Sequence, residues 1–150
     1  MASTQPSPSQ PRTQAPTAQE LMADPVVQHA LDQAWNDSLA ADPAQRHEEG
    51  GWIYLDPASG VITVARASPG SNRFLDLGNP PIFAGCFLVG IFHTHPNPSI
   101  DGWQPGPSIR DTIMDDLLGV PDLIRSEQGV HISGPVRRRG DLAGRPGFPS

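Results

Sequence analysis

The chain has 150 residues but no lysine, only one cysteine and only one tyrosine. Because the single Cys86 cannot form a disulfide within the chain, nothing points to an oxidising compartment, and we expect a cytoplasmic protein. The sequence also lacks an apolar run near the ~18 residues of a membrane span, and its N-terminus lacks the apolar core of a secretory signal. Export by a signal-free route stays open as an alternative.

Positive charge is scarce as well. Ten arginines stand against 16 acidic residues, which gives a net charge of −6. The run Arg137–Arg139 is the one concentration of basic residues, and it is short enough to be a solvated strand end. A chain of this charge has no overall field that draws it to nucleic acid or to an anionic membrane, so we predict neither as a partner.

Proline and glycine, in contrast, are abundant, with 18 and 15 residues, whereas hydrophobic residues make up 37% of the chain. That fraction is below the roughly 45–50% of a typical domain, so much of the chain must be loop or tail. The N-terminal segment is rich in Ser, Pro, Gln and Thr, which predicts a disordered tail over residues 1–20. One folded domain over residues 21–138 and a flexible tail over residues 139–150 complete the predicted organisation.

The periodicity of the hydrophobic residues predicts a mixed β-sheet flanked by helices, a fold of the α/β or α+β class. A continuous apolar run from Phe83 to Phe92 favours a strand at the centre of this sheet, buried on both faces. The second helix begins at Ser108, and its Asp115 and Asp116 are predicted to face solvent. The other predicted elements are a first helix over about 25–40, a hairpin of Gly51–Leu55 and Val61–Ala65, and two short strands near Asp122–Ser126 and Val130–Ser133.

The residue types that bind metals follow the central strand directly, at His93 and His95. Because side chains alternate along an extended segment, two histidines one residue apart point to the same side and can bind one ion. A catalytic zinc ion takes three protein ligands of this kind and keeps an open position for water. Asp111, one turn into the next helix, is the predicted third ligand, with Asp101 in the intervening loop as the alternative.

The remaining candidates have less support from their surroundings. His29, His47 and His131 have no second ligand-type residue at a suitable spacing and are predicted to be structural. Trp103 lies in the Pro- and Gly-rich loop between His95 and Ser108, where we expect it to contact a substrate.

These residues form a recognisable pattern. His93-Thr94-His95-Pro96, followed by Ser108-Ile109-Arg110-Asp111, resembles the H-[ST]-H-P…S-x-x-D motif of the JAMM (JAB1/MPN+) metalloproteases. Glu48-Glu49-Gly50-Gly51 resembles the E-x-x-G segment that this family carries upstream. The resemblance covers roughly residues 45–136 and is nearest to the small bacterial JAB-like domains of polymorphic toxins and phage-tail proteins. One departure is the loop of twelve residues between His95 and Ser108, which is longer than the family usually has.

The resemblance implies a JAB/MPN-like fold and a zinc-dependent peptidase. It implies that Zn²⁺ is held by His93, His95 and Asp111, that Glu48 is the catalytic base and that Ser108 stabilises the oxyanion. The implied substrate is a peptide or a ubiquitin-like protein, cleaved at a peptide or isopeptide bond. Avoidance of self-modification would then be one reason for the absence of lysine, with genome base composition as the other. An inactive JAB-like binding module or toxin-type effector is the alternative function.

Overall fold

The structure, a computed structural model, describes Arg12 and residues 14–99, 102–103 and 106–140. Within these residues three helices flank one five-stranded sheet, which confirms the predicted mixed fold. None of the described helices has the length and apolar character needed to cross a membrane. The helices are α1 (Ala18–Ala23), α2 (Pro25–Asp37) and α3 (Ile109–Leu118), and the strands are β1 (Gly50–Asp56), β2 (Val61–Arg66), β3 (Phe87–Thr94), β4 (Asp122–Ser126) and β5 (Gly129–Ser133).

Strand β3 lies at the centre of the sheet, whose order is β2-β1-β3-β4-β5. It pairs antiparallel with β1 and parallel with β4, whereas β1–β2 and β4–β5 are antiparallel hairpins. A parallel pair requires a crossover connection, and the chain between Thr94 and Asp122, which contains α3, provides it. In the register of this pair Ile91 is opposite Asp122. The end of β3 therefore lies beside β4, although the whole crossover separates the two strands in the sequence.

Side chains alternate along the strands and give the sheet two apolar faces. One face packs against α1 and α2 through a cluster that includes Leu21, Ile53 and Phe92. The opposite face, here called the α3 face, carries Trp52 and Ile91, against which side chains of α3 pack. Full burial of one such side chain contributes about 1.5–3 kcal/mol, so the two clusters account for much of the stability that holds the sheet between its helices.

The predicted central strand is confirmed, but its limits differ. The strand begins at Phe87 rather than Phe83, because the chain turns at Gly85, whose φ is 76°, and the Cys86 amide donates to the Phe83 carbonyl. The strand continues to Thr94, so His93 lies inside it rather than after it. This places the first predicted metal ligand inside the central strand of the sheet.

The folded domain begins before residue 21. The Thr17 hydroxyl accepts from the Glu20 amide while the Glu20 carboxylate accepts from the Thr17 amide, a capping box that starts α1. Ala15 and Ala18 are buried in the core. The structure therefore differs from the predicted tail at residues 15–20. Residues 1–11 and 13, and residues 141–150 of the predicted C-terminal tail, lie outside the described residues.

Helix α3 turns both polar and apolar side chains to the sheet. Asp115 is only 1% exposed, so the prediction that it faces solvent is wrong, whereas Asp116 is exposed as predicted. Ile109, Ile113 and Leu117, spaced four residues apart, are 80%, 62% and 72% exposed. The inward position of Asp115 is possible because it hydrogen-bonds to polar groups of β4 and β5, as described below.

Candidate metal centre

Residues from four segments of the chain meet on the α3 face of the sheet. His93 lies in β3 on the same side as Ile91, and His95 follows two residues later. Glu48 lies two residues before the start of β1, where alternation also directs it to this face. Asp111 is in the first turn of α3, and Asp122 is the first residue of β4.

The two predicted histidine ligands converge on the predicted aspartate. Nε2 of His93 lies 3.0 Å from Oδ1 of Asp111, and Nε2 of His95 lies 3.0 Å from Oδ2. The two Nε2 atoms are 3.1 Å apart. Two nitrogens that each lie about 2.0–2.1 Å from a tetrahedral zinc ion are separated by about 3.3–3.4 Å. A metal ion therefore fits among these three side chains with adjustments of a few tenths of an ångström.

Glu48 lies on the open side of this cluster. One ligand atom each of Glu48, His93 and His95 can be chosen so that all three lie within 4.8 Å of one another, so these residues can also hold a metal. A cavity of about 20 Å³ is lined by Glu48, His93 and Asp111, and a water molecule needs about 10–15 Å³. Glu48 can thus reach an ion in the cluster either directly or through one water molecule.

A second layer of carboxyl groups lies behind His93. Nδ1 of His93 is 3.2 Å from Oδ1 of Asp122, and both side chains are almost fully buried. A carboxylate that accepts from one ring nitrogen of histidine fixes the tautomer and leaves the other nitrogen free to bind a metal. Asp122 therefore directs the lone pair of His93 Nε2 toward His95 and Asp111.

Asp115 in turn supports Asp122. The side chain of Asp115 interacts with that of Asp122, and the Ser133 hydroxyl donates to Oδ2 of Asp115. A hydrogen bond between two carboxyl groups requires a proton, and burial together with the neighbouring Asp122 raises the pKa of Asp115 to about 8. A pKa raised to this extent favours the protonated acid at neutral pH, and protonated Asp115 can donate to the carboxylate that orients His93.

The other pKa values reflect the same crowding of charge. Burial alone lowers the pKa of His93, but the carboxylates of Asp122 and Asp111 outweigh it and hold the pKa well above its usual range. Burial raises the pKa of Asp111, but hydrogen bonds from His93 and His95 outweigh that effect and hold it well below its usual range. Burial raises the pKa of Glu48, despite the nearby histidines.

The donor set fits a divalent cation. Four carboxyl groups surround two imidazoles, which leaves a surplus of negative charge in a largely buried place. Nitrogen and carboxylate oxygen ligands suit zinc, and a metal would replace the protons that His93 and His95 otherwise share with Asp111. The carboxyl groups are those of Glu48, Asp111, Asp115 and Asp122.

Glu48 and its neighbour Glu49 have opposite surroundings. Glu49 faces the α2 side, where its carboxylate accepts from Arg66 at 2.6 Å and contacts Nε2 of His47 at 2.6 Å. His47 is therefore a partner of Glu49 and not part of the metal cluster. Glu48, one residue earlier, points to the other side and lines the cavity beside His93.

The close approach of β1 to β3 holds Glu48 next to His93. Gly50 is opposite His93 in the sheet, and a Cβ at Gly50 would lie only 2.2 Å from the Phe92 carbonyl oxygen. Thr94, which points away from the site, accepts from the Glu49 amide through its hydroxyl and donates its own amide to the Glu49 carbonyl. A side chain at position 50 would separate the two strands and move Glu48 away from the histidines.

Ser108 both begins α3 and orients Asp111. Its hydroxyl oxygen accepts from the Asp111 amide at 3.2 Å, and its own amide donates to Oδ2 of Asp111 at 2.8 Å. This capping box fixes the carboxylate that faces the two histidines. The hydroxyl of Ser108 is exposed beside the cluster and keeps its proton available for donation.

A wider cleft of about 120 Å³ opens beside the cavity. Its lining includes Glu48, His95, Ser108, Trp103 and Arg73. Trp103 lies in the lining of this cleft, and its contact with a substrate stays a prediction. The alternative ligand Asp101 lies outside the described residues.

Asp115 and Asp122 were not predicted from the sequence as parts of the site. For Asp115 a signal exists, because it follows Asp111 by four residues and shares its side of the helix. For Asp122 only the parallel pairing of β3 with β4 reveals the contact with His93. His29 is exposed on α2, and His131 is half-buried in β5. Neither belongs to the group of described residues that could hold a metal ion.

Comparison of the chain with models of protein families, with curated proteins and with solved structures found no match.

Proposed function

We propose that this protein is a zinc-dependent peptidase of the JAMM type. The observation that carries the proposal is the convergence of His93, His95 and Asp111, with separations of 3.0 to 3.1 Å. Three motif segments that are distant in the sequence, at Glu48, at His93 and at Ser108, also lie together in the fold. Such a coincidence supports one shared site rather than three unrelated polar positions.

Each residue has a distinct proposed role. When bound, the metal supplies Lewis acidity and lowers the pKa of a water molecule. Glu48 would take a proton from this water as the water oxygen bonds to the scissile carbonyl carbon. It would then pass the proton to the amine as the C–N bond breaks, a role that suits a buried carboxylate with a raised pKa. Ser108 donates a hydrogen bond to the oxyanion that forms on the scissile carbonyl.

The proposed substrate is a peptide or the extended tail of a ubiquitin-like protein, joined by a peptide or isopeptide bond. The resemblance to the JAMM motifs supports this class, and the absence of lysine agrees with it. The cleft of about 120 Å³ beside the cluster is the proposed place for this tail. A cytoplasmic location, with signal-free export as the alternative, stays a prediction.

Metal analysis tests the site. We expect about one zinc ion per purified chain, because two histidines and one carboxylate complete an open three-ligand set. His93→Ala and His95→Ala should each remove the metal. His29→Ala is the matched control, since this histidine is exposed on α2, and it should keep the metal. Equal metal content in all four proteins would refute the assignment.

Cleavage of a peptide library, with Glu48→Gln as the inactive variant, tests the reaction. If Glu48 is the base, the variant keeps its metal and loses turnover. If Glu48 is instead a ligand, the variant loses metal together with turnover. A wild-type protein that binds zinc but cleaves neither peptides nor ubiquitin-like fusions would support the inactive binding module.

A further inference from the structure

Two arginines flank the candidate metal centre. Arg73 lines both the cavity beside Glu48 and the wider cleft, and Arg110 lines the cavity. Each guanidinium lies over an aromatic ring, Arg73 at 5.1 Å from the centroid of Trp103 and Arg110 at 4.8 Å from that of Phe74. Contact with an aromatic face restricts the side chain while leaving the N–H groups at its edge free to donate.

Neither guanidinium pairs with a carboxylate in the part of the chain that the structure describes. Other arginines do so: Arg66 contacts Asp37 and Glu49, and Arg125 contacts Asp32. The chain has 16 acidic residues for ten arginines, so acidic partners are plentiful. Among the described residues, therefore, no carboxylate competes with an external anion for the two guanidinium groups at the mouth of the site.

We propose that Arg73 and Arg110 bind a carboxylate of the substrate close to the scissile amide. This inference rests on the proposed peptidase function and deepens it by naming a substrate class. Guanidinium groups present paired N–H donors that match a carboxylate, which favours this anion over a neutral amide of the same shape. The carboxylate belongs either to an Asp or Glu side chain beside the cleaved bond or to a free C-terminus.

The position of the two arginines also explains how an acidic site can take an acidic substrate. Glu48 and Asp111 would repel an approaching carboxylate, and an interaction with opposite charge at the mouth offsets that repulsion. Phe74 lines the cavity, Trp103 lines the cleft, and Arg73 lines both. A bound carboxylate would thus hold an extended chain across the face of the metal cluster.

Binding of four matched peptides tests the inference without requiring cleavage. The peptides share one sequence and carry Glu or Gln beside the scissile position, each with a free or an amidated C-terminus. Affinity is measured by calorimetry on the full chain with Glu48→Gln, which prevents turnover. We expect at least one carboxylate-bearing peptide to bind about fivefold more tightly than the fully neutral one, with the preference falling as salt is added. The Glu/Gln and free/amide comparisons identify which carboxylate is bound.

Arginine variants then locate the effect. In the same background, Arg73→Gln and Arg110→Gln should each reduce the preference, and the double variant should abolish it. Arg139→Gln is the matched control, because it removes the same charge from an exposed pair with Asp116, and it should keep the preference. Equal affinities for all four peptides, failure of all four to bind, or a preference that survives in the double variant would each overturn the inference.

The outcome is separable from that of the proposed function. A charge preference that depends on Arg73 and Arg110 can stand in a protein that binds no zinc and cleaves nothing, and then only the peptidase proposal fails. Conversely, zinc-dependent cleavage with equal kcat/KM for acidic and neutral peptides would leave the peptidase proposal standing and refute the arginine site.

Discussion

Nδ1 of His93 lies 3.2 Å from Oδ1 of Asp122, although the two residues are 29 positions apart in the sequence. The contact exists because β3 and β4 run parallel and place the end of one segment beside the start of the other. It gives the candidate metal centre an outer carboxylate, and that outer layer can be tested apart from the ligands themselves.

Asp122→Ala should weaken metal binding by roughly 10–100-fold, the usual cost of losing a carboxylate that orients a histidine ligand. Asp122→Asn should lose less metal affinity than Asp122→Ala, because an amide oxygen can still accept a hydrogen bond from Nδ1 of His93. Competition with a chromophoric chelator measures both affinities. Asp116→Ala, which removes an exposed carboxylate from α3, is the control and should bind metal like the wild type. An unchanged affinity in Asp122→Ala would show that His93 needs no outer partner.

Asp115→Asn should flatten the pH dependence of stability. The pKa of Asp115 is about 8 in the folded protein against 3.8 ordinarily, so the folded state keeps a proton that the unfolded chain releases. Stability from this group is therefore full at low pH and is lost as the pH rises from about 4 toward 8, by up to roughly 1.4 kcal/mol per unit. The variant lacks this loss. Urea unfolding of both proteins at several pH values, with chelator present, measures this pH dependence. If the free energy of unfolding changed with pH in the same way in both proteins, Asp115 would not hold the proton.

Glu48→Gln and Glu49→Gln should differ in stability as well as in activity. Glu49 is buried and accepts from Arg66, so its neutral variant should lose about 1–3 kcal/mol in the free energy of unfolding while keeping its metal. Burial raises the pKa of Glu48, which means that the folded protein disfavours its charged form. The neutral variant should therefore fold at least as stably as the wild type. Urea denaturation measures the stability of the two variants, and metal analysis of the same samples shows whether each keeps its metal. A reversed order of stability would mean that the two side chains have exchanged faces.

Substitutions in α3 test the direction in which the helix faces. Ile113→Gln and Leu117→Gln should change the free energy of unfolding by less than about 0.5 kcal/mol, since both side chains are mostly exposed. Leu118→Ala should cost more, because Leu118 packs against the cluster on the α3 face. If instead the two glutamine variants unfold the protein, α3 is rotated and Asp111 does not face the histidines.

The sequence was sufficient to predict those elements whose hydrophobic pattern lies within one short segment. The hairpin of β1 and β2, the buried strand β3 and the pairing of His93 with His95 all follow from side-chain alternation. The orientation of α3 did not, because Ile113 and Leu117 at helical spacing normally indicate the buried side. Here the side that faces the sheet carries Asp111 and Asp115 beside the apolar Met114 and Leu118. The two carboxyl groups find their partners only in the folded sheet, on the histidines for Asp111 and on Ser133 for Asp115.

The start of the domain shows a second limit. Composition predicted a tail through residue 20. Composition is an average over a segment, however, and does not detect a single helix-capping interaction. The capping box of Thr17 and Glu20 and the fully buried Leu21 order α1. Asp122 could not be assigned at all without the topology, since nothing in the spacing of 29 residues specifies a parallel pair.

The crossover between β3 and β4 has a consequence for how the protein folds. The β1–β2 and β4–β5 hairpins need only short loops, whereas the parallel pair must close a long connection before its contacts form. We therefore expect the hairpins to gain hydrogen-exchange protection first and the β3–β4 pair last. A metal ion held between His93 on one side of the crossover and Asp111 within it would act as a cross-link on that late-forming loop, and its removal should speed unfolding.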